Sequence, residues 1–378
     1  MTSMSPDNES RDFGARENPD LIGHEEAEAT LLEAVYSGRL AHAWLITGRK
    51  GVGKATLCHR FAKFLLAISD PGVGKRGALF PFDRAKPVVR PDCLAIDPAN
   101  PVAQRVASGT HGDLRVVERR AHEKTGKLRA EIVVEDVRAV GRFMSMTAME
   151  GGWRVVIIDA AEDMNRNAAN ALLKVLEEPP GKSVLMLVGH APGRLPPTIR
   201  SRCRILNLSP LKEADIVQVL KKRRPDLTEN DLRTLAGLAE GSVGRALRLA
   251  DQGGLAHYGE LVDMLSLWPS FDAPTVHNVA ERLAKSGEEE AYETFAGLLQ
   301  WWLGRFISAV AKGEATRASN IVPAERALMA KLADGAPLPR WMEAWDRIGD
   351  LLIKGERINL DRKQVIMALF GALSATAR

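Results

Sequence analysis

Along the first half of the chain, short apolar runs trade places with segments whose apolar residues recur every three or four positions. The runs are Ala43–Thr47 (AWLIT), Asp113–Glu118 (DLRVVE), Trp153–Asp159 (WRVVIID), Ser183–Val188 (SVLMLV) and Arg204–Leu208 (RILNL). All five read as strands, and the apolar stretches of AWLIT, WRVVIID and SVLMLV predict buried ones. Between them, helical spacing predicts helices over 24–38, with Leu31, Leu32 and Val35 on one side, from Lys54 to about Ile68, over Glu131–Met146, and over Asn167–Glu178. The last is stopped by Pro179 and Pro180, which cannot continue a helix. Strands alternating with helices predict an α/β fold: a parallel sheet with helices on both faces.

After Ser209 the texture changes. Residues 209–253 predict short helices with a glycine-rich break, Gly241-Ser-Val-Gly244, and 254–378 carry helical periodicity alone, with Trp268, Trp301, Trp302, Trp341 and Trp345 in helical phase. Boundaries are therefore expected near 208 and 254, giving an α/β domain over 21–208. Residues 70–115 are rich in Pro and Gly and lack periodicity, so an irregular insertion is expected there; loops of that length are usually functional. Residues 1–20 are polar and expected to form a flexible leader.

Composition narrows the function. The 378 residues fit two or three domains at about 150 residues each, and 45% apolar content excludes general disorder. Lys and Arg number 52 against 48 Asp and Glu, a balance of +4. That excludes an overall basic nucleic-acid coat but leaves room for local patches such as Lys221-Lys-Arg-Arg224, which otherwise reads as a solvated helix end. Three widely spaced cysteines, Cys58, Cys93 and Cys203, form neither a disulfide framework nor a four-Cys zinc site. They point to a reducing cytoplasm. No run of about 18 apolar residues exists, so no membrane span is expected.

Chemistry concentrates after the first strand. Gly48-Arg-Lys-Gly51-Val-Gly53-Lys54-Ala55-Thr56 fits the phosphate-loop spacing at Gly48, Gly53 and Lys54, between a strand and a helix. The glycines, Gly51 included, let backbone N–H groups curl around phosphate oxygens, and Lys54 would pair with the β and γ phosphates. The next residue should carry a hydroxyl for Mg²⁺ and is Ala55; Thr56 stands one place late. The alternative is a turn that merely joins strand to helix. Asp159, at the carboxyl end of an apolar strand, sits where a Mg²⁺-linked carboxylate is found in such proteins. A hydrolytic partner Glu would follow it directly, and Ala160 stands there instead; Glu162 and Asp163 lie further on. The pattern is that of an ATPase with two groups needed for turnover missing, so a degenerate site for ATP or ADP with Mg²⁺ is the expectation.

Two further segments, Asn170-Ala-Leu-Leu-Lys-Val-Leu-Glu-Glu-Pro-Pro180 and Arg200-Ser-Arg-Cys203, make the chain resemble the bacterial clamp-loader ATPase family of DNA polymerase III. Gly38–Gly48 and Asn359–Gln364 fit the same pattern. The resemblance is firm over about 20–210 and extends to the rest in layout. It implies an AAA+ P-loop module, a small helical lid over 209–253 and an all-α collar and oligomerisation domain over 254–378. It implies a pentameric ring with motor subunits of the tau/gamma type and a delta subunit, using ATP to place a sliding clamp on primer-template DNA during replication. The lost groups at Ala55 and Ala160 match the rigid member of such a ring, with little or no ATPase activity of its own. Family members often carry a four-Cys zinc module after the phosphate-loop helix; with Cys93 alone in 70–115, zinc is not expected.

The family also implies roles for two arginines. Arg202 would be an arginine finger reaching the neighbouring subunit's nucleotide in trans, where a planar guanidinium stabilises charge on the transferring phosphoryl oxygens. Arg245 would contact the subunit's own nucleotide from the lid. His190, after the strand Ser183–Val188, is either a phosphate sensor or a solvated loop residue. Two other readings stay open. One is an active motor of the same family, with Thr56 and Glu162 standing in for the missing groups. The other is an unrelated phosphate-loop kinase or transferase, against which the helical C-terminus counts.

Overall fold

The computed structural model describes residues 14–69, 91–121, 126, 129–314 and 321–377. The apolar run Ala43–Thr47 forms strand β1, and β2 (Leu114–Val117), β3 (Arg154–Ile158), β4 (Ser183–Gly189) and β5 (Arg204–Asn207) join it in one parallel sheet. The order across the sheet is β2-β3-β4-β1-β5. Thr47 stands opposite both Gly189 and Asn207, and Ile158 opposite Leu187 and Val117, so the strands finish nearly level.

Parallel neighbours need crossover connections, and helices supply them. The period of two along each strand sorts side chains between two apolar layers. Trp44, Ile46, Val155 and Ile157 pack with α1 (Glu25–Tyr36) and α2 (Lys54–Ala67). Ala43, Leu45, Val156 and Ile158 face the other way, against Val137 and Leu172. Those two residues lie on α4 (Val134–Ser145) and α5 (Arg166–Glu177), which follow α3 (Pro101–Ala107) in the chain. The α/β fold expected from the sequence is thus present, both faces covered.

Two expectations need correction. The segment 70–115 is not irregular throughout. Residues 70–90 lie outside those described, but α3 is a regular helix with Val102 and Val106 fully buried in the α2 layer. Its start is marked by Asn100, whose side chain accepts from the Val102 amide at 2.8 Å, and by Pro101 at the first helical position. A two-turn helix is too short to show a period, but its cap was readable. Nor does the segment before residue 21 simply trail. Residues 1–13 lie outside those described, yet the Glu17 and Asn18 amides both donate to Gly14 O at 2.7 Å, and the largely buried Arg60 donates to Pro19 O and Glu28.

By internal contacts the chain forms two units. The first runs to Val219 and takes in Gly241–Gly244, along with α6 (Pro197–Arg200); the second holds Leu220–Glu240 and Arg245 onward. From α7 (Glu213–Arg223) on, the elements are α8 (Glu229–Leu238), α9 (Val243–Asp251), α10 (Gly254–Ser266), α11 (Ala273–Leu283), α12 (Glu289–Ala311), α13 (Glu325–Gly335), α14 (Leu338–Arg357) and α15 (Arg362–Ser374).

Within the second unit Glu325 is 0% exposed. Its carboxylate accepts from Tyr258 OH (2.7 Å), Trp302 Nε1 (3.1 Å) and the Ile321 amide (2.8 Å), and pairs with Arg305. A buried carboxylate is tolerable only with such a set of donors. Trp302, Trp341 and Trp268 are core residues: Trp302 stacks on Phe306 at 5.6 Å, and Trp268 and Trp341 meet at 5.4 Å. Trp345 remains exposed. The Lys221–Arg223 run closes α7 on exposed positions. No described helix is long and apolar enough to cross a membrane.

One buried group makes stability depend on pH. His59 on α2 is 5% exposed, and burial, with Arg16 and Lys63 adding positive charge, holds its imidazole at about 3 against an ordinary 6.5. The unfolded chain takes up that proton first, so stability is full above pH 6.5 and falls as pH drops toward 3. Between pH 7 and 4 the loss from this residue is expected to be roughly 3 kcal/mol. Thermal melts across that range should show the drop, and His59→Leu should flatten it.

Candidate functional site

The phosphate-loop segment turns sharply at three glycines. Gly48, Gly51 and Gly53 have φ of 139°, 78° and 108°, values that L side chains rarely adopt. A Cβ at Gly48 would lie 2.5 Å from Leu208 O, and one at Gly51 would lie 2.6 Å from Ser242 Oγ. With Gly53 as N-cap of α2, no side chain caps the opening amides of that helix. Lys54 is the first residue of α2, only 3% exposed, and its Nζ donates to Gly48 O at 2.8 Å and Arg49 O at 2.6 Å. The ammonium thus spans the start of the loop that it closes.

Thr56 does not shift into the loop. It sits inside α2 and is mostly buried, one step of roughly 100° round the helix from Ala55. The glycine loop and Lys54 fit a phosphate chain, while the position directly after Lys54 offers no oxygen to a magnesium ion.

Asp159 follows β3, and its Oδ1 accepts from the Ala160 amide at 2.9 Å. The fully buried thiol of Cys58, on α2, is pushed upward first by burial and then by Asp159, with Lys54 acting the other way. Lys54 and Asp159 therefore both act electrostatically on the Cys58 thiol. Glu162, in the turn Ala161–Asp163, is committed elsewhere: its Oε1 accepts from the His190 amide (2.7 Å) and the Ala191 amide (2.9 Å). Asp163 pairs with Arg119 at 3.0 Å. Both carboxylates hold loops together. His190 follows β4 and is half-buried.

Arg202 lies between α6 and β5 with 38% of its side chain exposed. Its Nη2 donates to Glu177 Oε1 at 2.8 Å and its Nη1 to Thr198 O at 3.1 Å. Beside it, burial pushes the Cys203 thiol up to about 12. Arg204 on the edge strand places its guanidinium 4.8 Å from the Trp44 ring centre. Arg245 belongs to the second unit, where Nη1 donates to Glu240 at 3.2 Å and the guanidinium lies 5.3 Å from the Trp301 ring centre. Gly48, Gly51, Gly53, Lys54, Ala55, Thr56 and Asp159 are thus gathered in the first unit, Arg202 lies at its β5 edge, and Arg245 is held within the other unit. Among the described residues, no group of three or more His, Cys, Asp or Glu side chains is placed to hold a metal ion.

Sequence reasoning missed several contributors. His24 Nε2 meets Val52 O at 2.7 Å, Ser242 Oγ donates to Lys50 O at 2.8 Å, and the Gly244 amide donates to Gly51 O at 2.9 Å. The glycine break at 241–244 was visible as a break; its partner in the phosphate loop was not.

Residues 92–212 match the family model described as "DNA polymerase III, delta subunit". Over 214 residues the chain is 39% identical to DNA polymerase III subunit delta' of Pseudomonas aeruginosa, covering 56% of this chain and 57% of that protein. Over this stretch the chain is similar in sequence to DNA polymerase III delta' subunits. The kinship expected from the Asn170–Pro180 and Arg200–Cys203 segments is borne out. Subunit delta' of Bacillus subtilis is 29% identical over 58% of this chain and 57% of its own length. Subunit tau/gamma of Haemophilus influenzae is 30% identical over 62% of this chain and 30% of its own. The chain thus spans little more than half the length of the delta' relatives it matches. Among solved structures, a gamma subunit-related protein of Thermotoga maritima aligns at a TM-score of 0.39 and 17% identity, covering 93% of this chain and all of that one. The RuvB Holliday junction branch migration motor of the same organism aligns at 0.40 and 18%, covering 85% and 87%.

Gly48→Ala tests the loop geometry. The added Cβ meets a backbone oxygen in a region of φ that costs about 1–3 kcal/mol. A loss of about 2 kcal/mol in the first unit, read from urea unfolding, is expected.

Proposed function

We propose that the chain is a delta'-type clamp-loader subunit, a stator that keeps a phosphate cradle, hydrolyses little or no ATP itself, and lends Arg202 to a neighbour. The observation that carries this reading is the incomplete hydrolytic set around an intact loop. Ala55 replaces the hydroxyl, Ala160 replaces the carboxylate beside Asp159, and Glu162 is bound to the backbone of 190–191. General-base catalysis tolerates little displacement, so Glu162 does not take over the role.

Within this proposal, bound ATP or ADP with Mg²⁺ would supply the phosphate chain and its charge. Gly48, Gly51, Gly53 and the first turn of α2 hold phosphate oxygens through backbone N–H groups, Lys54 neutralises them, and Asp159 supports the cation without a hydroxyl at Ala55 or Thr56. Arg245 approaches from the lid, 209–253. In trans, Arg202 exchanges Glu177 for the developing charge on a neighbour's γ-phosphoryl oxygens. Residues 254–378 assemble with tau/gamma-type motors and a delta subunit in a pentameric ring. That ring acts on a sliding clamp and primer-template DNA, in the cytoplasm and without zinc in this chain.

A second reading, an active motor, draws support from the tau/gamma relative at 30% identity. ATPase assays separate the two. The purified chain should turn over no faster than its Lys54→Ala variant; brisk multiple turnover that Lys54→Ala abolishes would favour the motor. An arginine finger contributes about 10³–10⁵ in rate at the site it serves, and other sites keep their own. Arg202→Ala is therefore expected to lower the ATPase rate of the reconstituted ring several-fold while the ring still elutes intact. An unchanged rate removes the finger assignment.

A further inference from the structure

The phosphate loop is pinned from outside along consecutive peptides. Ser242 Oγ donates to Lys50 O at 2.8 Å, the Gly244 amide donates to Gly51 O at 2.9 Å, and His24 Nε2 meets Val52 O at 2.7 Å. A carbonyl only accepts, so His24 carries its proton on Nε2. In a trans peptide the C=O and the N–H of the next residue point in opposite directions. Fixing Lys50 O toward Ser242 therefore turns the Gly51 N–H away from Ser242. Fixing Gly51 O and Val52 O does the same for the Val52 and Gly53 N–H groups. These are the amides that a phosphate loop offers to its ligand.

The fit leaves no slack. Ser242 is 4% exposed, and a Cβ on Gly51 would meet both Ser242 Oγ at 2.6 Å and Gly244 Cα at 3.0 Å. The turn is anchored in its own right, since Gly241 has φ of 82° and its carbonyl accepts from the Leu211 amide at 2.9 Å. Residues 241–244 belong to the same compact unit as the loop, although helices of the other unit flank them in sequence.

We infer that Ser242, with the Gly244 amide, is a positioning residue of the phosphate site: it sets the Gly51 and Val52 amides in the direction that an incoming phosphate requires. Its hydroxyl acts through the loop backbone and touches no ligand. The inference rests on the reading of this loop as a nucleotide cradle, and the test separates the two.

The full chain is titrated with a fluorescent ADP analogue, and backbone hydrogen exchange is followed over 48–54 without nucleotide. Ser242→Ala is expected to weaken binding about five- to tenfold, the scale of one lost hydrogen bond with its ordering. It should raise exchange at Gly51 and Val52 while leaving β3 protected, which shows an intact fold. Affinity and loop exchange both equal to wild type, while Lys54→Ala still abolishes binding, would overturn the inference and leave the cradle standing. Wild type binding no better than Lys54→Ala overturns the cradle and the inference with it.

Discussion

In a parallel sheet every strand runs the same way, so all the carboxyl ends come out along one edge. That constraint places the chemistry of this molecule. β1 delivers the glycine loop, β3 delivers Asp159 and β4 delivers His190, and the register that sets Thr47 against Gly189 brings two of those ends level. The central strands β1, β3 and β4 are buried along their whole length between the helical layers, whereas the edge strand β5 is largely exposed. Polar groups gather at the carboxyl edge, where the strands give way to loops. Ser242 and Gly244 reach that edge from far along the sequence, and they do so through backbone carbonyls.

Charged groups near the edge are settled by the same rule that governs the second unit. Lys54 is almost wholly buried and finds two carbonyls; Glu325 is wholly buried and finds four donors. Buried charge persists only where its hydrogen-bonding capacity is met. Glu162 meets it through one oxygen, Oε1, which accepts from the amides of 190 and 191 and ties the turn after β3 to the loop after β4. Arg202 is the contrast. It is over a third exposed, and its partner Glu177 is exposed too. Such a surface pair is worth little, on the order of 0–1 kcal/mol, so the guanidinium can change partners cheaply.

The central strands were legible because AWLI, VVII and VLMLV are apolar without interruption, a pattern that burial on both faces demands. The loop was legible because φ above zero needs glycine at fixed spacing. What escaped were relations across distance. Nothing near Val52 announces His24, and nothing near Lys50 announces Ser242, since the pairing depends on where chain segments return in space. The helix Pro101–Ala107 escaped for a different reason: with two turns, its burial shows in too few positions to form a period, and only Asn100-Pro101 marks it. Likewise Glu177 was visible as part of the Asn170–Pro180 block but not as the residue facing Arg202.

The path of the chain has a consequence for taking the protein apart. It leaves the first compact unit after Val219, returns for Gly241–Gly244, and leaves again at Arg245. No single cut of the backbone separates the two bodies cleanly. A fragment truncated after Val219 keeps every strand of the sheet yet lacks Ser242 and Gly244, which hold Lys50 and Gly51. Anyone expressing the sheet alone, or grafting it onto another helical partner, inherits a loosened cradle unless that short return segment travels with it.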